Sequence, residues 1–168
     1  QDQMRSVLFI RHANSSWGNK IISDYERPLN DRGKKEAPEM ARRLLSKNIP
    51  LDFFISSSAK RARQTAEFFT KAYCLSPGSV LMKEELYLPS PEIFYDIIDG
   101  TANEFQHLAI CSHNPAITQF LNQITDKIRV DEMPPCGILG IRTDAFQWND
   151  FRKSQKIFWF FDYPQTFL

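Results

Sequence analysis

The sequence predicts an α/β fold: a three-layer α/β/α sandwich around a largely parallel central sheet. Three observations predict it. Short apolar runs of strand length alternate with stretches whose apolar residues recur at helical spacing. The chain has 168 residues, enough to bury a substantial core as one domain spanning 1–168. Several apolar runs end abruptly in arginine, histidine or serine, as in "SVLFIRHANSSW". Charge at the tip of a core strand is costly unless something uses it, and open α/β sheets bind ligands beyond the carboxyl ends of their strands.

The elements follow in order. Ser6–Ile10 is the first strand, and Asn14–Pro28 is polar and irregular. "LNDRGKKEAPEMARRLLSKN" has a helical repeat at Met40, Ala41, Leu44 and Leu45. Asn30 is its expected N-cap, because its side chain can accept from the free amides of the first turn. Pro38 predicts a kink or a later start. "LDFFISSS" is a second buried strand, and "AKRARQTAEFFTKAY" a helix with Ala62, Ala66 and Phe69 on one side. After the break at "PGS", "VLMKEELY" supplies a third strand and its exit. "SPEIFYDIIDG" is a short helix with a serine cap and a terminal glycine. Leu108–Cys111 is the fourth strand, and an Asn-Pro start opens the helix "NPAITQFLNQI". "CGILGIRT" and "KIFWFFDY" are two late strands, the second packing its aromatics into the core.

Composition narrows the function. The chain carries 21 basic and 20 acidic residues, a balance that argues against a general nucleic-acid binder. No apolar run approaches the ~20 residues that span a bilayer, so no membrane association is expected. "QDQMRS" contains no apolar core of a secretory leader. Cys74, Cys111 and Cys136 are widely spaced and form neither a CxxC pair nor a zinc pattern. Reduced thiols in the cytoplasm, with no metal and no cofactor, are the expectation.

Three segments deliver polar groups to strand ends: Arg11 and His12; Ser56–Ser58 followed by Arg61; and Ser112, His113 and Asn114. Two arginines and two histidines suit a tetrahedral oxyanion, since the guanidinium fork matches phosphate oxygens and a neutral imidazole is a usable nucleophile. Taken singly, each residue has an ordinary explanation. Arg61 and Arg63 fit a solvated helix face, Ser15, Ser16 and Ser56–Ser58 fit turns and caps, and His107 falls at the wrong end of its strand. The conjunction of three strand ends is what points to a site.

These residues resemble the histidine phosphatase superfamily, with its phosphoglycerate-mutase-like fold. The resemblance rests on Arg11-His12-Ala13 after a strand, on Arg61, Ala62 and Thr65 within "SSSAKRARQTAE", and on His113 within "LAICSHNP". "RHANSSW" and "ERPLNDRGKKEAP" are similar to the SixA-type phosphohistidine phosphatases. The resemblance implies that His12 attacks phosphorus and becomes phosphohistidine, which water then hydrolyses. Arg11, Arg61 and His113 would hold the phosphoryl oxygens, and the arginines would supply the compensating charge without a metal. Asn14, Ser15 and Asn114 would contact the substrate. Glu84 and Glu85 are the candidates for a carboxylate general acid. Ala13 stands where the superfamily usually has glycine, so a positive φ is not expected there. The implied partner is a phosphorylated protein, for instance a histidine phosphotransfer domain. A phosphatase of small phosphoesters and a non-catalytic phosphate-binding module remain as alternatives.

Overall fold

The computed structural model describes residues 4–18 and 22–164. Its elements are β1 (Arg5–Arg11), α1 (Asp31–Ser46), β2 (Phe53–Ser57), α2 (Lys60–Ala72), β3 (Val80–Lys83), α3 (Glu92–Asp99), β4 (His107–Ser112), α4 (Ala116–Ile124), β5 (Ile138–Thr143) and β6 (Lys156–Asp162). Short 3-10 turns lie at Pro77–Ser79, Glu84–Leu86 and Trp148–Lys153.

The strands form one sheet in the order β3-β2-β4-β1-β5-β6. The β2–β3, β2–β4 and β1–β4 pairs are parallel, while β5 runs antiparallel to both β1 and β6. The expected largely parallel sheet is therefore present. Side chains alternate across it with the period of the pleat. Leu8, Ile10, Phe54, Ala109 and Ile138 face α1 and α2, where they meet Met40, Leu44, Ala62 and Phe69. Val7, Phe9, Ile55, Ile110 and Ile141 pack on the other side against Phe94, Ile98, Phe120 and Trp148. In β6, Trp159 and Phe160 pack on the first cluster, and Phe158 and Phe161 on the second. Gln165–Leu168, the end of the aromatic tail, lie outside the described residues.

Two local expectations are corrected. Helix α1 continues through Pro38 without ending. Its buried face of Ala37, Met40, Ala41 and Leu44 outweighs the one backbone donor that proline lacks. Ser90 does not cap α3: Pro91 occupies that position, and Ser90 contributes its carbonyl, which accepts from Ile93 N at 3.1 Å. Asn30 does cap α1, accepting from Gly33 N at 2.9 Å.

Gly33 sets how closely α1 approaches the segment after β1. A Cβ there would lie 2.1 Å from the Asn14 carbonyl oxygen and 3.0 Å from its nitrogen. Gly33→Ala therefore forces backbone apart, and the clash outweighs the gain in helix propensity. The expected loss is about 1–3 kcal/mol in urea unfolding, with an unchanged m-value.

Candidate active site

Register builds the site. Arg11 lies opposite Ser112, and Ser56 opposite Cys111, so the carboxyl ends of β2, β4 and β1 stand side by side. The residues just past them, His12 and His113, meet with ring centroids 5.0 Å apart. Helix α2 starts at the same edge and presents Arg61 from its first turn. His12, Arg61 and His113 are all nearly buried.

His12 has a defined tautomer. Its Nδ1 lies 2.7 Å from the Ala13 carbonyl, which can only accept, so Nδ1 carries the proton. Nε2 is then an unprotonated lone pair, and Arg61 Nε donates to it at 3.3 Å. The peptide around it is fixed on three sides. His12 N donates to Ser112 O at 3.2 Å, Ala13 N donates to Thr65 Oγ1 at 2.9 Å, and Cys136 N donates to the carbonyls of both Arg11 and His12 at 3.1 Å. Ala13 is not among the positive-φ residues, as expected.

Arg61 is anchored on Asp24 by two further bonds: Nη1 to the Asp24 carbonyl at 2.7 Å and Nη2 to Oδ2 at 3.1 Å. The Tyr87 hydroxyl donates to the same Oδ2 at 2.6 Å, and Arg27 Nη2 donates to Oδ1 at 3.1 Å. Burial alone would raise the Asp24 carboxyl; the bonds from Tyr87, Arg27 and Arg61 overcome this and hold it at about 2. Arg11 donates to the Met133 carbonyl at 2.8 Å and lies 3.4 Å from the exposed Glu132 carboxylate. Three guanidiniums facing the Asp24 carboxylate, with the exposed Glu132 carboxylate at the rim, leave the cluster net positive.

Both histidines are kept neutral. Burial first, then the neighbouring His113 and the arginines, hold His12 well below 6.5, against the opposing pull of the Ala13 bond. Burial and then Arg61 push His113 down to about 3. His113 Nε2 lies 2.7 Å from Ser57 Oγ. That oxygen also accepts from Ala59 N at 3.1 Å, and the other ring nitrogen, Nδ1, has no partner among the described residues.

These shifts predict acid instability. Between pH 6.5 and 4 the unfolded chain binds protons on these imidazoles and the folded chain does not, so stability falls as pH falls. The expected loss is about 1.4 kcal/mol per histidine by pH 5.5. Asp24 acts in the same direction but only below about pH 4, as pH falls toward its folded value of about 2. Urea unfolding at pH 7.5, 6.5 and 5.5 checks this: the slope against pH should be shallower in His113→Gln than in the parent.

Residues 7–78 match the sequence profile of the histidine phosphatase superfamily (branch 1). An uncharacterised protein of Mycobacterium tuberculosis is 30% identical over 150 residues, which cover 84% of this chain and 90% of that one. The chain belongs to the histidine phosphatase superfamily. An uncharacterised chloroplast protein of Arabidopsis thaliana is 29% identical over 120 residues, 70% of this chain, and the match spans only about half of that longer protein (52%). Among solved structures, a SixA protein from Agrobacterium tumefaciens superposes with a TM-score of 0.77 at 23% identity, covering 95% of this chain and 99% of that one. The protein histidine phosphatase SixA complexed with tungstate gives 0.77 at 21% identity over 95% and 97%. A mycobacterial glucosyl-3-phosphoglycerate phosphatase gives 0.62 at 14% identity over 92% and 97%. These likenesses show the fold.

Within this superfamily fold, Arg11, His12, Arg61 and His113 are brought together. Asn14, Ser15 and Asn114 lie at the margin of this cluster, each already hydrogen-bonded. Asn14 Oδ1 accepts from Asn30 Nδ2 at 2.6 Å, Ser15 Oγ accepts from Arg27, and Asn114 links the Met133 carbonyl (3.1 Å) to Thr118 (2.6 Å). Glu84 and Glu85 sit exposed in the 3-10 turn after β3, and no hydrogen bond joins either carboxylate to the cluster. That segment reaches the site through Tyr87, and through the Leu86 carbonyl, which accepts from Ser112 Oγ at 2.7 Å. Asp24, Arg27 and Tyr87 are the members that sequence reasoning missed, while Ser57 belongs to the serine run it placed at the strand end. An acid and a base three residues apart in "SDYERPL" were the available signal for the first two.

Proposed function

We propose that the protein is a metal-independent phosphatase that takes a phosphoryl group onto His12 Nε2, with protein phosphohistidine as its substrate. One observation carries the reading: a buried imidazole whose Nδ1–H is locked on a carbonyl, so that its unprotonated Nε2 faces a net positive arginine cluster. In the first step Nε2 attacks phosphorus, the substrate's P–N bond breaks, and the departing imidazole takes a proton from solvent. In the second, water attacks phosphorus, the P–Nε2 bond breaks, and inorganic phosphate leaves with one proton lost to solvent. The arginines and His113 stabilise the charge on the equatorial oxygens.

Donor capacity supports an arriving anion. Among the described residues the buried donors Arg11 Nε and Arg27 Nε lack a partner, as does the buried ring nitrogen His113 Nδ1. The proton balance supports phosphohistidine. Asp24 is ionised at neutral pH and Glu84 and Glu85 are turned to solvent, and an imidazole leaving group needs no buried acid. Apolar surface beside the site supports a protein substrate. Trp17, stacked under Arg27 at 5.0 Å, is 51% exposed, and Leu88, next to Tyr87, is 83% exposed. The SixA likeness points the same way. The three free cysteines fit a reducing compartment such as the cytoplasm, and among the described residues no helix is long and apolar enough to cross a membrane.

A substrate screen tests this. It sets a chemically phosphorylated histidine phosphotransfer protein beside p-nitrophenyl phosphate and a sugar phosphate. We expect kcat/KM for the phosphoprotein to exceed both by about tenfold or more. Fast turnover of the sugar phosphate with none of the phosphoprotein overturns the substrate assignment.

A further inference from the structure

We propose that Asp24 is a positioning residue: its carboxylate and carbonyl hold the Arg61 guanidinium in the orientation that serves transfer to His12, and the Tyr87 hydroxyl locks that carboxylate. The proposal rests on the phosphatase reading above and adds residues to it.

The geometry is a chain of single contacts. Of the five N–H donors of Arg61, two go to Asp24 and one to His12 Nε2. Two remain for phosphoryl oxygens. Without the Asp24 anchor, the guanidinium regains rotamer freedom, and Nε no longer has a fixed direction. Asp24 is itself held by elements remote in sequence. Its loop is pinned to the start of α2 by Lys60 N, which donates to the Tyr25 carbonyl at 2.9 Å. The Tyr87 ring stands edge-on to Tyr25 at 5.0 Å and to His113 at 5.7 Å, so its hydroxyl reaches Oδ2 from the β3 side.

Charge agrees with this role. The carboxylate stays ionised at working pH, so it anchors as an anion and does not donate a proton. It also offsets one of the three positive charges of Arg11, Arg27 and Arg61.

The test uses Asp24→Asn and Tyr87→Phe in the parent and in an Arg61→Ala background, with the substrates of the screen. Asp24→Asn should lower kcat about 10–100-fold, while KM and the affinity for inorganic phosphate stay within about threefold. Tyr87→Phe should act in the same direction but less, and Asp24→Glu should recover part of the loss. In the Arg61→Ala background the Asp24→Asn effect should shrink to less than about threefold, because the residue acts through Arg61. The Arg61 Nε–H NMR resonance reads the same ordering with no substrate: sharp in the parent, broadened or lost in Asp24→Asn. An unchanged resonance overturns the proposal, as does an equal kcat loss in the Arg61→Ala background or a parallel weakening of phosphate. A parent that turns over neither phosphoprotein nor phosphoester sinks the phosphatase reading instead, and the resonance still decides the role of Asp24.

Discussion

Replacing His12 by alanine should lower turnover by about four orders of magnitude or more, while inorganic phosphate still binds. The two halves of this expectation have different sources. Turnover needs the Nε2 lone pair, which the Nδ1–Ala13 bond leaves unprotonated and the low basicity of the buried ring keeps free at neutral pH. No neighbour can substitute. His113 is engaged with Ser57 through one nitrogen, and burial raises the Cys111 thiol to about 12 and the Cys136 thiol well above its ordinary value, so neither supplies thiolate. Phosphate binding, in contrast, depends on Arg11, Arg27, Arg61 and His113, all untouched by the change. Rapid quench into alkaline denaturant after mixing with radiolabelled phosphoprotein gives the direct readout: base-stable, acid-labile label on the parent and none on His12→Ala. A variant that keeps turnover within tenfold of the parent would show that another group attacks phosphorus.

The proposed catalytic set was legible where the chemistry is local to a strand end. Arg11, His12 and His113 each follow an apolar run directly, and a parallel sheet brings such ends together whatever the loops do. Arg61 was legible because its helix follows β2 after a short serine link. Asp24, Arg27 and Tyr87 were not, because their relation to the site depends on how the loop after β1 folds back over α2 and how the chain leaves β3. Nothing in the spacing of "SDYERPL" states that path. The same physics explains where Asn14, Ser15, Glu84 and Glu85 lie. Asn14 and Ser15 adjoin His12 in sequence, but the chain turns away to meet the start of α1, and Gly33 permits contact so close that Asn14 becomes part of that junction. Glu84 and Glu85 have the right chemistry in the right segment. The 3-10 turn after β3 points them outward, and Tyr87, one step past buried Leu86, takes the inward place.

Removing the Arg61 side chain should cost about a thousandfold in kcat/KM, and Arg61→Lys should recover little of it. A lysine ammonium cannot contact the Asp24 carbonyl, the Asp24 carboxylate and His12 Nε2 at once in the planar arrangement that the guanidinium uses. The loss should fall mainly on kcat, because Arg11 and Arg27 continue to attract the ground-state anion while the charge that builds on the equatorial oxygens loses its buried partner. The same substitution has an electrostatic signature independent of any substrate. Arg61 is the largest cause, after burial, of the low His113 pKa, and it also depresses His12. Without it the His113 imidazole should titrate closer to 6.5, visible as a histidine ring resonance that moves in Arg61→Ala and stays fixed above pH 5 in the parent. The sign then carries through to stability. A folded-state pKa nearer the unfolded value narrows the window in which the two states differ in bound protons, so the acid-induced loss below pH 6.5 should be shallower in Arg61→Ala. Slower catalysis together with a flatter pH–stability curve is the combined result that ties this one guanidinium to both histidines.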